Sequence, residues 1–98
     1  MDDQFTVSVT HVNGTTTVFV TGELDVVTSP ELRAALSHVD GSLVFDLGQL
    51  TFIDAIGIEE LLRAADGKDV EIRGASPFVR RVFALVDLGH LISAESVR

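Results

Sequence analysis

Three stretches of this chain place apolar residues at helical spacing, and a short strand-like run precedes each of them. Leu32, Ala35, Leu36 and Val39 fall at i, i+3, i+4 and i+7; Ile58, Leu61, Leu62 and Ala65 repeat the pattern, as do Val79, Val82, Phe83 and Val86. A stripe of this kind is buried by laying a helix against another layer. The runs between the stripes supply that layer. Val18-Phe19-Val20 is apolar on both faces and reads as a central strand, and Leu43-Val44-Phe45 reads as a short buried one. Val70 and Ile72 alternate with Asp69, Glu71 and Arg73, which gives a strand with one wet face. Strands alternating with helices select parallel pairing, because a parallel connection needs a crossover of a dozen residues or more.

The start of the chain differs. Phe5 to Thr10 alternates apolar and polar residues, placing Phe5, Val7 and Val9 on a buried face. Asn13-Gly14 then supplies the two positive-φ residues of a type I′ hairpin turn, and Thr15 to Val20 returns. Gly22-Glu23-Leu24-Asp25 is expected to break that strand. Ser29, Pro30 and Glu31 are assigned as N-cap, N1 and N2 of the first helix, which Asp40-Gly41 ends. Asp54 is assigned as N-cap of the second helix, closed by Asp66-Gly67. Ser76-Pro77 opens the third, Gly89 caps it, and Leu91-Ile92 is a candidate last strand. The order is β-β-α-β-α-β-α. It predicts an α/β fold over residues 1–98 as one domain: a mixed, mostly parallel sheet with an N-terminal antiparallel hairpin. Right-handed crossovers put the helices mainly on one face.

Composition narrows the chemistry. Apolar residues are 46% of the chain and charged residues 22%, enough to fold, and the formal charge of −8 disfavours nucleic acid and anionic membrane. There is no cysteine, hence neither a disulfide framework nor a thiolate metal site. Asp2 and Asp3 stand where a signal peptide would be basic, and no apolar run approaches a membrane span. A cytoplasmic protein without membrane insertion is expected. His11, His38 and His90 share no metal-ligand spacing, no Gly-x-Ser-x-Gly elbow is present, and Gly22, Gly41, Gly48 and Gly57 stand singly. Glu59 and Glu60 are placed in the first turn of the second helix as dipole partners, and Arg80-Arg81 is a small basic cluster. These features predict no catalytic residue, no metal and no cofactor.

The centre of the chain is Leu50 to Ile58, where a buried strand is expected to end just before and a helix to begin inside. Phe52-Ile53-Asp54-Ala55-Ile56-Gly57-Ile58, Gly22-Glu23-Leu24-Asp25 and the segment from Ala75 to Phe83 (ASPFVRRVF) together resemble the STAS-domain family. The family comprises bacterial anti-sigma-factor antagonists and related domains of transporters and stress-signalling complexes. The resemblance implies a sheet-plus-helices fold and a regulatory protein-binding role in sigma-factor control. The implied partner is an anti-sigma factor, a histidine-kinase-like ATPase, or another regulatory protein. In phosphoregulated members that kinase modifies a serine or threonine following the motif aspartate. Here that position is Ala55, which cannot be phosphorylated, and neither Thr28 nor Thr51 matches it.

Two native roles fit the alanine: an antagonist held in its binding-competent form, or a STAS module that never used phosphorylation. The small STAS adaptor subunit of an ATP-binding-cassette lipid-transport complex would be of the second kind. Ile56 beside it also departs from the family pattern, which argues for natural divergence over a single introduced change. The implied contact surface is Asp54, Ala55, Ile56 and Gly57 with Glu23 and Asp25. Only Ser93 to Arg98 stand where many members carry a further helix, so that helix is expected to be short or absent.

Overall fold

Asn13 and Gly14 both take positive φ, 51° and 81°, and make the tight turn their residue types favour. The computed structural model describes residues 4–86. Its elements are β1 (Thr6–Val12), β2 (Thr15–Leu24), α1 (Ser29–Ala35), β3 (Ser42–Ile53), α2 (Ala55–Ala65), β4 (Val70–Arg73) and α3 (Pro77–Leu85). The described strands form one sheet in the order β1-β2-β3-β4. β1 runs antiparallel to β2, while β2 with β3 and β3 with β4 are parallel. The expected α/β architecture is therefore present. Gly89, His90 and Leu91-Ile92 lie outside the described residues.

One sheet face is the core face. Val18, Val20 and Leu24 of β2, Leu43, Phe45, Leu47, Leu50 and Ile53 of β3 and Ile72 of β4 are buried on it. Leu32 of α1, Ile58 and Leu61 of α2, and Val79 and Phe83 of α3 close over them in one cluster. Each fully buried Leu, Ile or Phe contributes about 1.5–3 kcal/mol of transfer free energy. Among the described residues the other face carries no helix and presents Thr6, Ser8, Thr10, Thr17, Phe19 and Thr21.

Several local expectations are corrected. The third strand does not stop at Phe45 or before Leu50; β3 continues to Ile53. Two register shifts against β2 each place an extra β3 residue opposite its neighbour. Each shift resets the in–out alternation, so Leu47, Leu50 and Ile53 face the core at intervals of three. Gly22 does not break β2 either. It sits inside the strand at φ +97°, where a Cβ would lie 2.9 Å from the Gln4 carbonyl oxygen.

The first helix starts differently. Thr28, not Ser29, is its N-cap and is already helical, and its side chain makes no capping bond to the helix. The chain begins to coil at Asp25: its carboxylate accepts the Val27 and Thr28 N–H groups at 3.0 and 3.1 Å, and its carbonyl accepts the Ser29 N–H at 2.8 Å. The Ser29 hydroxyl donates to that same carbonyl at 2.6 Å. α1 ends at Ala35, which is exposed; Leu36 and Val39 pack on the core from the turn beyond. Val9 has the core-side parity of Val7 but is 41% exposed. Ser76 does cap α3, its hydroxyl accepting the Val79 N–H at 3.2 Å.

In α2 the stripe is rotated. Leu62 is exposed, and Glu60 is buried in its place. Neither Glu59 nor Glu60 lies in the first turn. Arg33 of α1 donates from Nη2 to Glu60 Oε1 at 2.7 Å and from Nε to Oε2 at 3.2 Å, with Arg63 Nε 3.9 Å away. The bonded carboxylate holds the Arg33 guanidinium above its ordinary pKa. This fork ties α1 to α2. Glu60→Ala is expected to lower unfolding stability by about 2 kcal/mol, through lost charge-assisted bonds and a small cavity. Urea denaturation of both chains measures it, and a change under about 0.5 kcal/mol would show the tie to be incidental.

Candidate functional site

Asp54 joins β3 to α2. It is extended (φ −118°, ψ −176°), and its side chain accepts the Gly57 N–H at 2.8 Å. Its carbonyl accepts the Ile58 N–H at 3.0 Å, and its own N–H donates to the Leu24 carbonyl at 3.3 Å. Aspartate suits this position, since its short carboxylate reaches an otherwise unpaired N–H and offsets the positive helix end. Gly57 completes the joint. A Cβ there would sit 2.5 Å from the Leu24 carbonyl oxygen and 3.0 Å from side-chain carbons of Leu24 and Ile53. The first turn of α2 is thus pressed onto the end of β2.

That contact decides which residues face outward. Gly57 and Ile58 turn inward, while Ala55 and Ile56 are exposed, Ile56 by 42%. Leu24 and Ile53 are register partners, so the chain leaves β2 and β3 side by side. The loop after β2 therefore stands next to the start of α2. Within it, the Thr28 hydroxyl donates to the Glu23 carbonyl at 2.7 Å and accepts the Asp25 N–H at 2.9 Å. With both ends of the loop tied down, Val26 and Val27 point into solvent. At the same end Phe52 of β3 stacks on Phe78 of α3, ring centroids 5.8 Å apart, and both rings are partly exposed.

The structure brings Asp54, Ala55, Ile56 and Gly57 to the same end of the sheet as Glu23 and Asp25. Glu23 is exposed, while Asp25 and Asp54 are half-buried and their carboxylates bond backbone N–H groups. The Thr28 and Thr51 hydroxyls donate to the Glu23 and Gly22 carbonyls. His11 is 2.9 Å from the Thr16 hydroxyl and lines a shallow hollow with His38, Val39 and Asp40. Among the described residues no group of three or more His, Cys, Asp or Glu is placed to hold a metal. No described helix is long and apolar enough to cross a membrane.

Val26, Val27, Phe52 and Phe78 were not singled out as site residues by the sequence. Their signal was present but indirect. Phe78 stands off the stripe of its own helix, and Val26-Val27 is an apolar pair inside a segment of no periodicity. The result is an apolar edge with acidic neighbours, formed where parallel strands give way to helices.

An edge of this kind, on a sheet covered on one face, suits contact with another protein. The sequence profile described as "Mlab, STAS domain" matches residues 7–93, and the chain belongs to the STAS-domain family. No curated protein matches the chain significantly. Among solved structures it is similar to an anti-sigma factor antagonist from Mycobacterium paratuberculosis, at 27% identity and a TM-score of 0.81, covering 94% of this chain and 86% of that one. The anti-sigma factor antagonist SpoIIAA in its unphosphorylated form shares the fold at 24% identity and a TM-score of 0.70, over 92% of this chain and 86% of that one. The fold also matches part of the murine anion transporter Slc26a9, at 19% identity and a TM-score of 0.62, over 83% of this chain and 14% of the transporter.

Proposed function

We propose that this chain is a single STAS domain over residues 1–98, acting in the cytoplasm as a non-enzymatic regulatory module of the anti-sigma-factor-antagonist kind. It docks through the start of α2, with Ile56 as the apolar anchor. Ala55 lets the partner approach the backbone, Gly57, Asp54 and Asp25 hold the edge in shape, and Glu23 lies on the rim. The observation that supports this reading best is Ile56 itself, an exposed isoleucine on a helix start that Asp54 and Gly57 fix in place. A rigid apolar side chain loses little conformational freedom on binding. The partner is an anti-sigma factor of the histidine-kinase-like ATPase type, and the docking is not governed by phosphorylation at Ala55.

Affinity purification of the tagged chain from its native cell tests the proposal. Recovery of such an ATPase supports it, and recovery of a permease with its transport ATPase defeats it. The latter outcome belongs to the second reading, an adaptor subunit of an ATP-binding-cassette lipid-transport complex. That reading is favoured by the family description.

Replacing Ala55 by serine tests the lost switch directly. The new hydroxyl would stand exposed at the first position of α2, where a phosphate meets helix N–H groups. Incubation with the cognate kinase and ATP is expected to phosphorylate Ala55→Ser and leave the parent chain unmodified, as read by intact-mass spectrometry. Absence of transfer from an active kinase would mean that more than this residue separates the site from a phosphoswitch.

A further inference from the structure

Among the described residues β1 pairs with β2 alone, so its other edge is open. Open edges are normally blunted by charge, proline or a bulge. β1 has none of these. Thr6–Val12 reads TVSVTHV, without Asp, Glu, Lys, Arg or Pro, although the chain carries 15 acidic residues. Its pairing with β2 runs from Thr6↔Thr21 to Val12↔Thr15 without a register shift.

The strand is also its own complement. Thr6-Val7-Ser8-Val9-Thr10 reads the same in both directions. Two antiparallel copies related by a two-fold axis at Ser8 set Thr6 against Thr10, Val7 against Val9 and Ser8 against Ser8. One step further, Phe5 meets His11, and no like charges oppose. Val9, left 41% exposed on the core-side face, would then be covered by Val7 of the second copy.

We propose that the chain self-associates into a two-fold dimer by antiparallel pairing of β1 with β1 of a second copy, joining the two sheets into one. The interface is isologous, as closed two-fold assemblies require. It is a narrow seam, which places the dimer among transient assemblies. The charge of −8 on each copy opposes association, so added salt strengthens the dimer. Because β2 separates β1 from β3, the seam leaves the start of α2 free.

The absence of cysteine makes the test clean. The two-fold axis puts the two Ser8 Cα atoms about 4.5–5.5 Å apart, within disulfide range. Ser8→Cys is expected to oxidise to a covalent dimer in the folded state. Thr6→Cys, about 14 Å from its symmetry mate along the strand, is expected not to. An equimolar mixture of Thr6→Cys and Thr10→Cys is expected to give the mixed dimer. A Ser8→Cys chain that stays monomeric at millimolar concentration, or a Thr6→Cys chain that crosslinks as fast, overturns the proposal. Sedimentation of the parent chain is expected to show a dimer fraction rising with concentration and salt, and a monomer throughout likewise overturns it. Val9→Lys deletes two symmetry-related cross-strand pairs and is expected to weaken association about tenfold. An unchanged circular dichroism spectrum and melting temperature show that this variant still folds.

Discussion

Gly57→Ala is expected to lower the melting temperature of this chain by about 12–24 °C, against the usual effect of filling a helical glycine. Alanine in a helix interior is favoured over glycine by about 1 kcal/mol, so propensity alone predicts a more stable protein. Geometry reverses the sign. The added methyl would stand 2.5 Å from the Leu24 carbonyl oxygen, an atom of strand backbone that no rotamer change can move. Overpacking of this kind costs about 1–3 kcal/mol, sometimes more. The first turn of α2 is also held by the Asp54–Gly57 and Asp54–Leu24 bonds, so relief requires breaking one of them. A net loss of about 3 kcal/mol corresponds to the stated fall in melting temperature for a domain near this size. Thermal denaturation followed by circular dichroism measures it. An unchanged or raised melting temperature would show that α2 is not pressed onto β2, and the placement of Ala55 and Ile56 would lose its physical basis.

The same joint shows which parts of the structure were legible in the sequence. Element order, hairpin, mostly parallel sheet and one-sided helices followed from periodicity and turn chemistry, because those signals are local. Asp54 as a helix cap was legible for the same reason. The second half of β3 was not. Its buried residues Leu47, Leu50 and Ile53 recur every three positions, since two bulges interrupt the pleat, and that spacing belongs to no regular strand. Gly22 reads as a breaker when its actual constraint is the close approach of Gln4, a tertiary contact that no local pattern encodes. Glu60 reads as a dipole partner in the first turn because its actual partner, Arg33, lies on another helix. Asp25 reads only as part of the loop after β2, and the bonds of its carboxylate to the Val27 and Thr28 N–H groups, which begin the turn into α1, carry no local signature. The apolar members of the edge went unread because exposure is a property of what fails to cover a residue. Val26 and Val27 lie in a loop tied down by Thr28, and Phe78 leaves its helix on the side where Phe52 rises from the sheet.

Ile56→Asp is the substitution that separates docking from folding. Ile56 is the second residue of α2 and 42% exposed, so its removal leaves the core intact. A carboxylate in the first helical turn is favoured by the dipole by about 0.3–1 kcal/mol, which offsets what little packing is lost. The melting temperature is therefore expected to stay within a few degrees of the parent's. Binding is different. Truncating an apolar anchor at the centre of an interface costs about 2 kcal/mol or more, and a desolvated unpaired carboxylate in its place adds to that. The affinity for the captured partner is expected to fall by at least about thirtyfold, as measured by calorimetric titration. Leu85→Asp, at the far end of α3 and 78% exposed, supplies the charge-matched control and is expected to bind as the parent does. A collapse of the melting temperature in Ile56→Asp would place Ile56 in the packing of the α2 start. Equal binding by the parent and both variants would place the docking surface away from the α2 start, leaving Asp54 and Gly57 with only the structural work of holding α2 against β2.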